Sequence, residues 1–162
     1  MRSLNESIQA YKKQLKAGDI SIAYRGILDF MLKLKNRLKA NYPEHSISSS
    51  LYQGYMDMSY FSFTPEFLRK KKLKIAIVFI HESVSFELWL SAANKKIQKE
   101  YHRFFIDKGF QKYKVIPQGK GIDSILEYTL SSDPNFDDTD SLMKLIEKNL
   151  LIFISEIESF LS

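Results

Sequence analysis

Four side chains in the middle of the sequence have the types and the spacing for a ligand site on a β-sheet. Asp57 follows Tyr55 by two residues, and Trp89, the single tryptophan, follows Glu87 by two residues. In a strand, residues two apart point to the same face. Two carboxylates on one face can do acid–base work if their pKa values differ, and the indole ring can hold a small ligand. The sequence therefore predicts a ligand-binding set of Tyr55, Asp57, Glu87 and Trp89, with no catalytic residue, cofactor or metal assigned to it.

The elements that would position this set centre on a β-hairpin over residues 73–90. The segment 74–80, KIAIVFI, is rich in β-branched and aromatic residues, and the segment 86–90, FELWL, alternates apolar and polar residues. Both patterns are typical of strands. A turn at Glu82-Ser83 predicts three cross-strand pairs, namely Ile80 with Ser85, Val78 with Glu87 and Ala76 with Trp89.

This register divides the hairpin into two different faces. One face is continuous and apolar, and we expect helices to cover it; it holds Ile75, Ile77, Phe79, Phe86, Leu88 and Leu90. The other face combines a small floor at Ala76 with Glu87 and Trp89. A slip of the register by one residue would bury Glu87 in the core, which disfavours the slip. The second face is therefore the part of the hairpin that packing alone does not explain.

The remaining elements indicate an α+β fold with a mostly antiparallel sheet of about five strands and helices packed on one face. The residue patterns predict the order ααβββαββα, with a very short helix after Thr64-Pro65, and one domain over residues 1–162. The predicted helices cover about 3–16, 19–41, 92–108 and 140–160, and the predicted strands 51–63, 74–80, 86–90, 113–116 and 125–130.

The amino-acid composition limits the cellular compartments and the kinds of functional site that are compatible with this chain. The chain has 162 residues and no cysteine, which excludes disulfides, thiolate metal sites and a cysteine nucleophile. A cysteine-free chain suits a reducing cytoplasm. The N-terminal residues lack the apolar segment of a signal peptide, and no apolar run approaches the ~20 residues that a membrane span requires. We therefore expect a soluble, cytoplasmic protein that does not enter a membrane.

Charge is distributed unevenly, and this raises nucleic acid as a partner. Residues 1–120 carry 22 Lys/Arg against 10 Asp/Glu, whereas residues 121–162 carry 2 against 9. A basic stretch lies near aromatic residues of the predicted strands, and it consists of Arg69, Lys70, Lys71, Lys72 and Lys74. Lysines contact phosphates, and aromatic rings stack on bases. The alternative is a solvated face, because no known nucleic-acid-binding motif accompanies the charge.

Other motifs of catalysis are absent. The three histidines, His45, His81 and His102, lie far apart and show no metal-ligand spacing. Gly119-Lys120-Gly121 precedes a predicted strand instead of a helix, so no helix N-terminus would face a phosphate there. There is also no GxSxG nucleophile motif.

The chain resembles an uncharacterised family of small bacterial proteins of unknown function. The resemblance covers Asn5 to Leu161, and its specific part is the segment 52–58, YQGYMDM, together with Phe86-Glu87 and Trp89-Leu90. It implies a bacterial single-domain protein and assigns no catalytic residue.

Three functions remain open. The first is a small binding or interaction module, whose partner would be another protein or a second copy of the chain. The second is a small-ligand-binding protein or enzyme that uses the face of Asp57, Glu87 and Trp89. The third is a nucleic-acid-associated protein that uses the basic stretch from Arg69 to Lys74. A concave polar face would favour the second, and a flat apolar patch would favour a protein partner.

Overall fold

The central element is a six-stranded antiparallel sheet. A computed structural model describes the whole chain, residues 1–162. The strands lie in the order β1-β2-β3-β4-β6-β5, and every neighbouring pair is antiparallel. Their bounds are β1 Ser46–Ile47, β2 Met58–Thr64, β3 Leu73–Ile80, β4 Ser85–Ala92, β5 Lys114–Val115 and β6 Leu126–Ser131.

Five helices accompany the sheet. They are α1 Leu4–Ala17, α2 Asp19–Asn41, α3 Glu66–Lys70, α4 Lys95–Asp107 and α5 Thr139–Leu161. Ser3 and Glu6 form a capping box that satisfies two free N–H groups at the start of α1. Gly18, at φ 96°, ends α1, and α2 begins at the next residue. The α+β class and the element order are confirmed, except that the sheet has six strands instead of five.

The central hairpin has the register that the sequence predicted. Ile80 pairs with Ser85, Val78 with Glu87, and Ala76 with Trp89. The residues of its apolar face are completely buried. They pack with α2 and α5 in one continuous core, to which the two helices contribute Phe30, Met31, Leu34, Leu38, Leu142, Ile146, Leu150, Phe153 and Ile157. The prediction that helices cover this face is confirmed.

The opposite face of the sheet is not covered by α2 or α5. We call it the open face and define it by Met58, Tyr60 and Ser62 of β2, Ala76 and Val78 of β3, and Glu87 and Trp89 of β4. The larger side chains among these remain partly exposed, whereas Ala76 and Val78 are buried between them.

Two features at the β1–β2 edge differ from the sequence prediction. The segment predicted as a strand over 51–63 is a strand only from Met58 onward. The residues before it bend back, so that Tyr52 forms an isolated antiparallel bridge with Tyr60. Gly54 and Met56 have positive φ angles of 74° and 64°, which produce the bend. The sixth strand is β1, a two-residue strand in a segment that was predicted to be a polar loop.

Candidate functional site

The open face contains a trough that runs along β3. Its volume is about 250 Å³. Ala76 and Val78 form the floor, Met58 and Tyr60 of β2 line one side, and Trp89 of β4 lines the other. Strands lie about 4.8 Å apart, so the side chains of β2 and β4 stand about 10 Å apart across β3. Tyr60 is level with Val78 and Trp89 with Ala76, so the two aromatic residues stand diagonally across β3. This arrangement leaves room above Ala76 and Val78 for a flat group between the two aromatic walls.

The aromatic walls are supported by their neighbours. Trp89 Nε1 donates a hydrogen bond to Glu87 Oε1 at 3.0 Å, which fixes the indole ring on the sheet. The ring of Tyr60 lies 4.8 Å from the ring of Tyr52, centroid to centroid. Glu87 therefore orients the tryptophan and does not line the trough itself. The structure confirms the proximity of Glu87 to Trp89 that the sequence predicted.

One end of the trough is polar. It is lined by Lys74 and Ser91 and by residues at the start of α4, among them Lys95 and Gln98. Lys95 already has partners, because its Nζ donates to Asp123 Oδ1 at 2.9 Å and also to the carbonyl of Ile122. The Gln98 amide also donates to that carbonyl. Lys74 forms no ion pair, so its ammonium group is the cation at the trough that has no acidic partner.

The basic stretch adjoins this polar end. A neighbouring depression is lined by Arg69, Lys72 and Lys74, and it shares Lys74 and Ala93 with the trough. The structure thus brings Lys74 of the predicted nucleic-acid set to the same trough as Trp89. The other two lysines lie elsewhere: Lys70 Nζ is 3.7 Å from Glu66 Oε1, and Lys71 lines a separate depression beside Tyr101.

Asp57 and Tyr55 lie outside the trough. Met58 pairs with Ile80, so Asp57 stands at the hairpin-turn end of the sheet, where its carbonyl accepts a hydrogen bond from the His81 N–H. Its carboxylate accepts the Tyr55 N–H at 2.9 Å and is exposed. This hydrogen bond and another from the Met58 backbone hold the pKa of the Asp57 carboxyl below its ordinary value. Asp57 does not share a face with Glu87, because Tyr60 lies in the Glu87 row and a residue three positions away along a strand points to the opposite face. Its carboxylate holds the bend before β2 instead.

A serine–histidine contact beside this bend resembles a nucleophile pair. Ser59 Oγ lies 2.9 Å from His81 Nε2, and it donates its own proton to the carbonyl of Gln53. Because that proton is already directed to Gln53, the His81 nitrogen acts as the donor and not as a base. Ser59 is completely buried, so no substrate can reach its oxygen. The pair therefore fastens the segment 53–57 to the sheet.

Sequence reasoning omitted Tyr60 from the ligand-binding set. Two features of the sequence could have indicated Tyr60. Side chains alternate along β2, so Tyr60 and Asp57 point to opposite faces, and β2 pairs antiparallel with β3. Tyr60 pairs with Val78, which pairs with Glu87, and this row puts Tyr60 on the open face.

The structure contains neither a metal-binding cluster nor a membrane-spanning helix. No three His, Asp or Glu side chains come close enough together to hold a metal ion. No helix has both the length and the hydropathy that crossing a bilayer requires.

The sequence of the chain matches a known protein family. Residues 4–161 match the family described as Domain of unknown function (DUF7000), and the chain belongs to that family. The match confirms the resemblance to an uncharacterised family over nearly the whole chain. No curated protein and no solved structure matches it.

Proposed function

We propose that this protein is a binding module whose trough holds a small ligand that combines a flat ring with a negatively charged group. The observation that carries this proposal is the position of Lys74, an unpaired ammonium group at the end of a trough with two aromatic walls. The absence of cysteine suits a cytoplasmic location for such a protein.

The ring would lie over Ala76 and Val78, diagonally between Trp89 and Tyr60. Aromatic rings prefer offset-stacked or edge-to-face contacts at centroid distances of about 4.5–7 Å. Tyr60 and Trp89 are about 10 Å apart across β3 and about 7 Å apart along it, so a group centred between them lies about 6 Å from each. Trp89 is held in place by Glu87 before a ligand arrives, so little side-chain entropy is lost on binding. The floor supports the same conclusion, because a larger side chain than Ala76 would fill the trough.

The negative charge would lie at Lys74. The Ser91 side chain also lines this end of the trough, where it can add a hydrogen bond to a carboxylate or phosphate. Hydrogen bonds in which one partner is charged contribute about 1.5–3 kcal/mol, roughly twice the contribution of neutral ones. Charge at Lys74 would therefore select anionic rings over their neutral counterparts.

The single tryptophan offers a direct assay. Titration of the protein with adenosine monophosphate and with 4-hydroxybenzoate, followed by Trp89 fluorescence, tests whether a ring enters the trough. Adenosine and phenol serve as uncharged counterparts. We expect the anions to change the emission and to bind about tenfold more tightly than the neutral rings, since about 1.4 kcal/mol corresponds to one power of ten.

Three variants make this assay specific. Lys74→Ala should reduce the affinity for the anions to that for the neutral rings, and Ala76→Leu should abolish the fluorescence response while the fold is retained. Lys33→Ala is the matched control, because Lys33 is an exposed lysine on α2 away from the open face. Anions and neutral rings that bind alike, or an Ala76→Leu variant that binds normally, would contradict the proposal.

Single-stranded nucleic acid is the second candidate, and the depression of Arg69 and Lys72 beside the trough favours it. A short oligonucleotide could stack one base at Trp89 and place the next phosphates on these side chains. Its affinity would exceed that of the mononucleotide and would fall steeply with salt. Equal affinity for the mononucleotide and a tetranucleotide at several salt concentrations would exclude this candidate.

A further inference from the structure

Helix α1 contributes nothing to the core of its own chain. None of its residues is buried, and α2 is its main neighbour. Leu4 is 77% exposed, Tyr11 is 59% exposed and Ile8 is 47% exposed. These values are high for large apolar side chains that all lie on one stripe of a helix. We call the stripe Leu4, Ile8, Tyr11 and Leu15 the α1 seam.

The connection to α2 keeps most of the α1 seam away from the rest of the chain, and only Leu15, the seam residue next to the connection, is half-buried. Only Gly18 separates the two helices. Two helices that fold back against each other need a loop of about two to five residues, so α1 cannot pack along α2. The seam is therefore accessible to a helix of another molecule.

The spacing of the α1 seam is that of a coiled coil. Its residues follow one another at intervals of four, three and four, which places them at alternating d and a positions of a heptad. Such a stripe is narrow and fits between the side chains of one facing helix. A helix that lies on a membrane surface has a wider apolar face, commonly with Trp, Phe or Leu.

We propose that the α1 seam pairs with the α1 seam of a second copy of the chain, with the two helices antiparallel. In this arrangement Ile8 of one copy lies beside Tyr11 of the other, and Leu4 lies beside Leu15 of the other. The four apolar layers of the pair are then filled by the eight seam side chains.

Charge favours the antiparallel direction. The only acidic residue of α1, Glu6, is in its first half, and Lys12, Lys13 and Lys16 are all in its second half. Antiparallel pairing places the lysine-rich half of each helix beside the first half of the other helix. The two helix dipoles then point in opposite directions, which is the favourable arrangement for neighbouring dipoles. Parallel pairing would place both lysine clusters side by side. The positions that flank the antiparallel seam bring Lys12 opposite the neutral Asn5 of the second copy.

Sedimentation velocity over a range of concentrations tests the proposal. We expect the unsubstituted protein to show a reversible monomer–dimer equilibrium and the Ile8→Glu variant to remain a monomer at every concentration. Lys13→Glu is the control, because Lys13 lies on the side of α1 away from the seam. Neither substitution touches the core, so thermal unfolding should show that both variants keep the fold. An unsubstituted protein that is monomeric up to about millimolar concentration would overturn the proposal.

Cysteine cross-linking tests the direction of the helices, since the natural chain has no cysteine. A mixture of the Ile8→Cys and Tyr11→Cys variants should form a mixed disulfide dimer under mild oxidation, and each variant alone should form much less. Rapid cross-linking of Ile8→Cys with itself would show parallel pairing and would overturn the proposal. So would a monomeric protein that floats with anionic phosphatidylserine vesicles and loses this binding in Ile8→Glu. These outcomes do not depend on whether the trough binds a ligand.

Discussion

At the residue scale, His81 links the hairpin turn to the bend before β2. Burial disfavours the charged imidazolium and lowers the pKa of His81 below its ordinary value of 6.5, although the nearby Asp57 carboxylate acts in the opposite direction. The unfolded chain therefore takes up this proton at a higher pH than the folded chain does. It follows that the contribution of His81 to stability is complete above pH 6.5 and is lost as the pH falls below it, until the folded state is protonated as well.

The corresponding prediction concerns stability against pH. The urea midpoint should fall between pH 7.5 and pH 5.5, and His81→Gln should make this fall smaller, because glutamine offers a similar donor that does not titrate. His102→Gln, on α4, is the control and should leave the fall unchanged. An identical pH dependence in the wild-type protein and the His81→Gln variant would show that His81 is not its source.

Gly54 gives a second prediction at this scale. Its φ angle is 74°, and a Cβ atom there would overlap the carbonyl oxygen of Met58. Gly54→Ala should therefore lower the free energy of unfolding by about 3 kcal/mol, the sum of backbone strain and displacement of β2. Gly121→Ala is the matched control: its φ is 78°, but its Cβ would meet no atom within 4 Å, so it should cost only about 1 kcal/mol. Equal losses in a chemical-denaturation experiment would contradict the role given to the Met58 contact.

At the scale of elements, the sequence predicted what side-chain alternation determines. The register of β3 and β4 was predictable because a slip by one residue would bury Glu87, and the apolar faces of α2 and α5 were predictable from helical spacing. The bend at 53–57 was not predictable, because an aromatic, alternating segment looks like a strand whether or not it reverses. Met56 adopts a positive φ there that its residue type does not suggest. The bend leaves Asp57 at the hairpin-turn end of the sheet, and the register of β2 on β3 gives that side of the trough to Tyr60.

The attachment of α5 to α2 gives a prediction about these two helices. Glu147 of α5 accepts hydrogen bonds from Arg37 at 3.1 Å, Asn41 at 3.3 Å and Tyr42 at 2.9 Å. Glu147→Ala should lower the free energy of unfolding by about 2 kcal/mol, because several donors, one of them charged, lose their acceptor. Asp140→Ala is the control, since the Asp140 carboxylate is mostly exposed and pairs with Arg37 at the surface; it should change stability by less than about 0.5 kcal/mol.

The same variant should also change a tyrosine titration. Burial and the Glu147 carboxylate raise the pKa of Tyr42 above its ordinary value of 10.0. Removal of the carboxylate takes away two of the causes, so the pKa of Tyr42 should move back towards 10.0 in Glu147→Ala. Absorbance at alkaline pH, compared between wild type, Glu147→Ala and Tyr42→Phe, measures this shift. A Tyr42 titration that is the same in the first two proteins would show that Glu147 does not affect it.

At the scale of the whole molecule, we expect the core and helix α1 to unfold locally and independently of each other. The sheet, α2, α4 and α5 share a single apolar core, so their central residues become exposed together. Helix α1 shares none of it. The trough belongs to the first unit, because its floor is made by β3, whose side chains on the opposite face, Ile75, Ile77 and Phe79, are completely buried. The α1 seam belongs to the second unit, which leaves it free to bind a partner without changing the trough.

Hydrogen exchange should show these two units. In dilute protein, the amides of α1 should exchange orders of magnitude faster than those in the middle of β3 and β4, because α1 can fray without exposing the core. If α1 pairs with a second copy, its amides should become more protected as the protein concentration rises, while those of β3 and β4 should not change. The Ile8→Glu variant should lose this concentration dependence and keep the slow exchange of the hairpin. Exchange of α1 as slow as that of β3 in dilute protein would show that the helix is part of the core unit, because both segments would then open only in global unfolding.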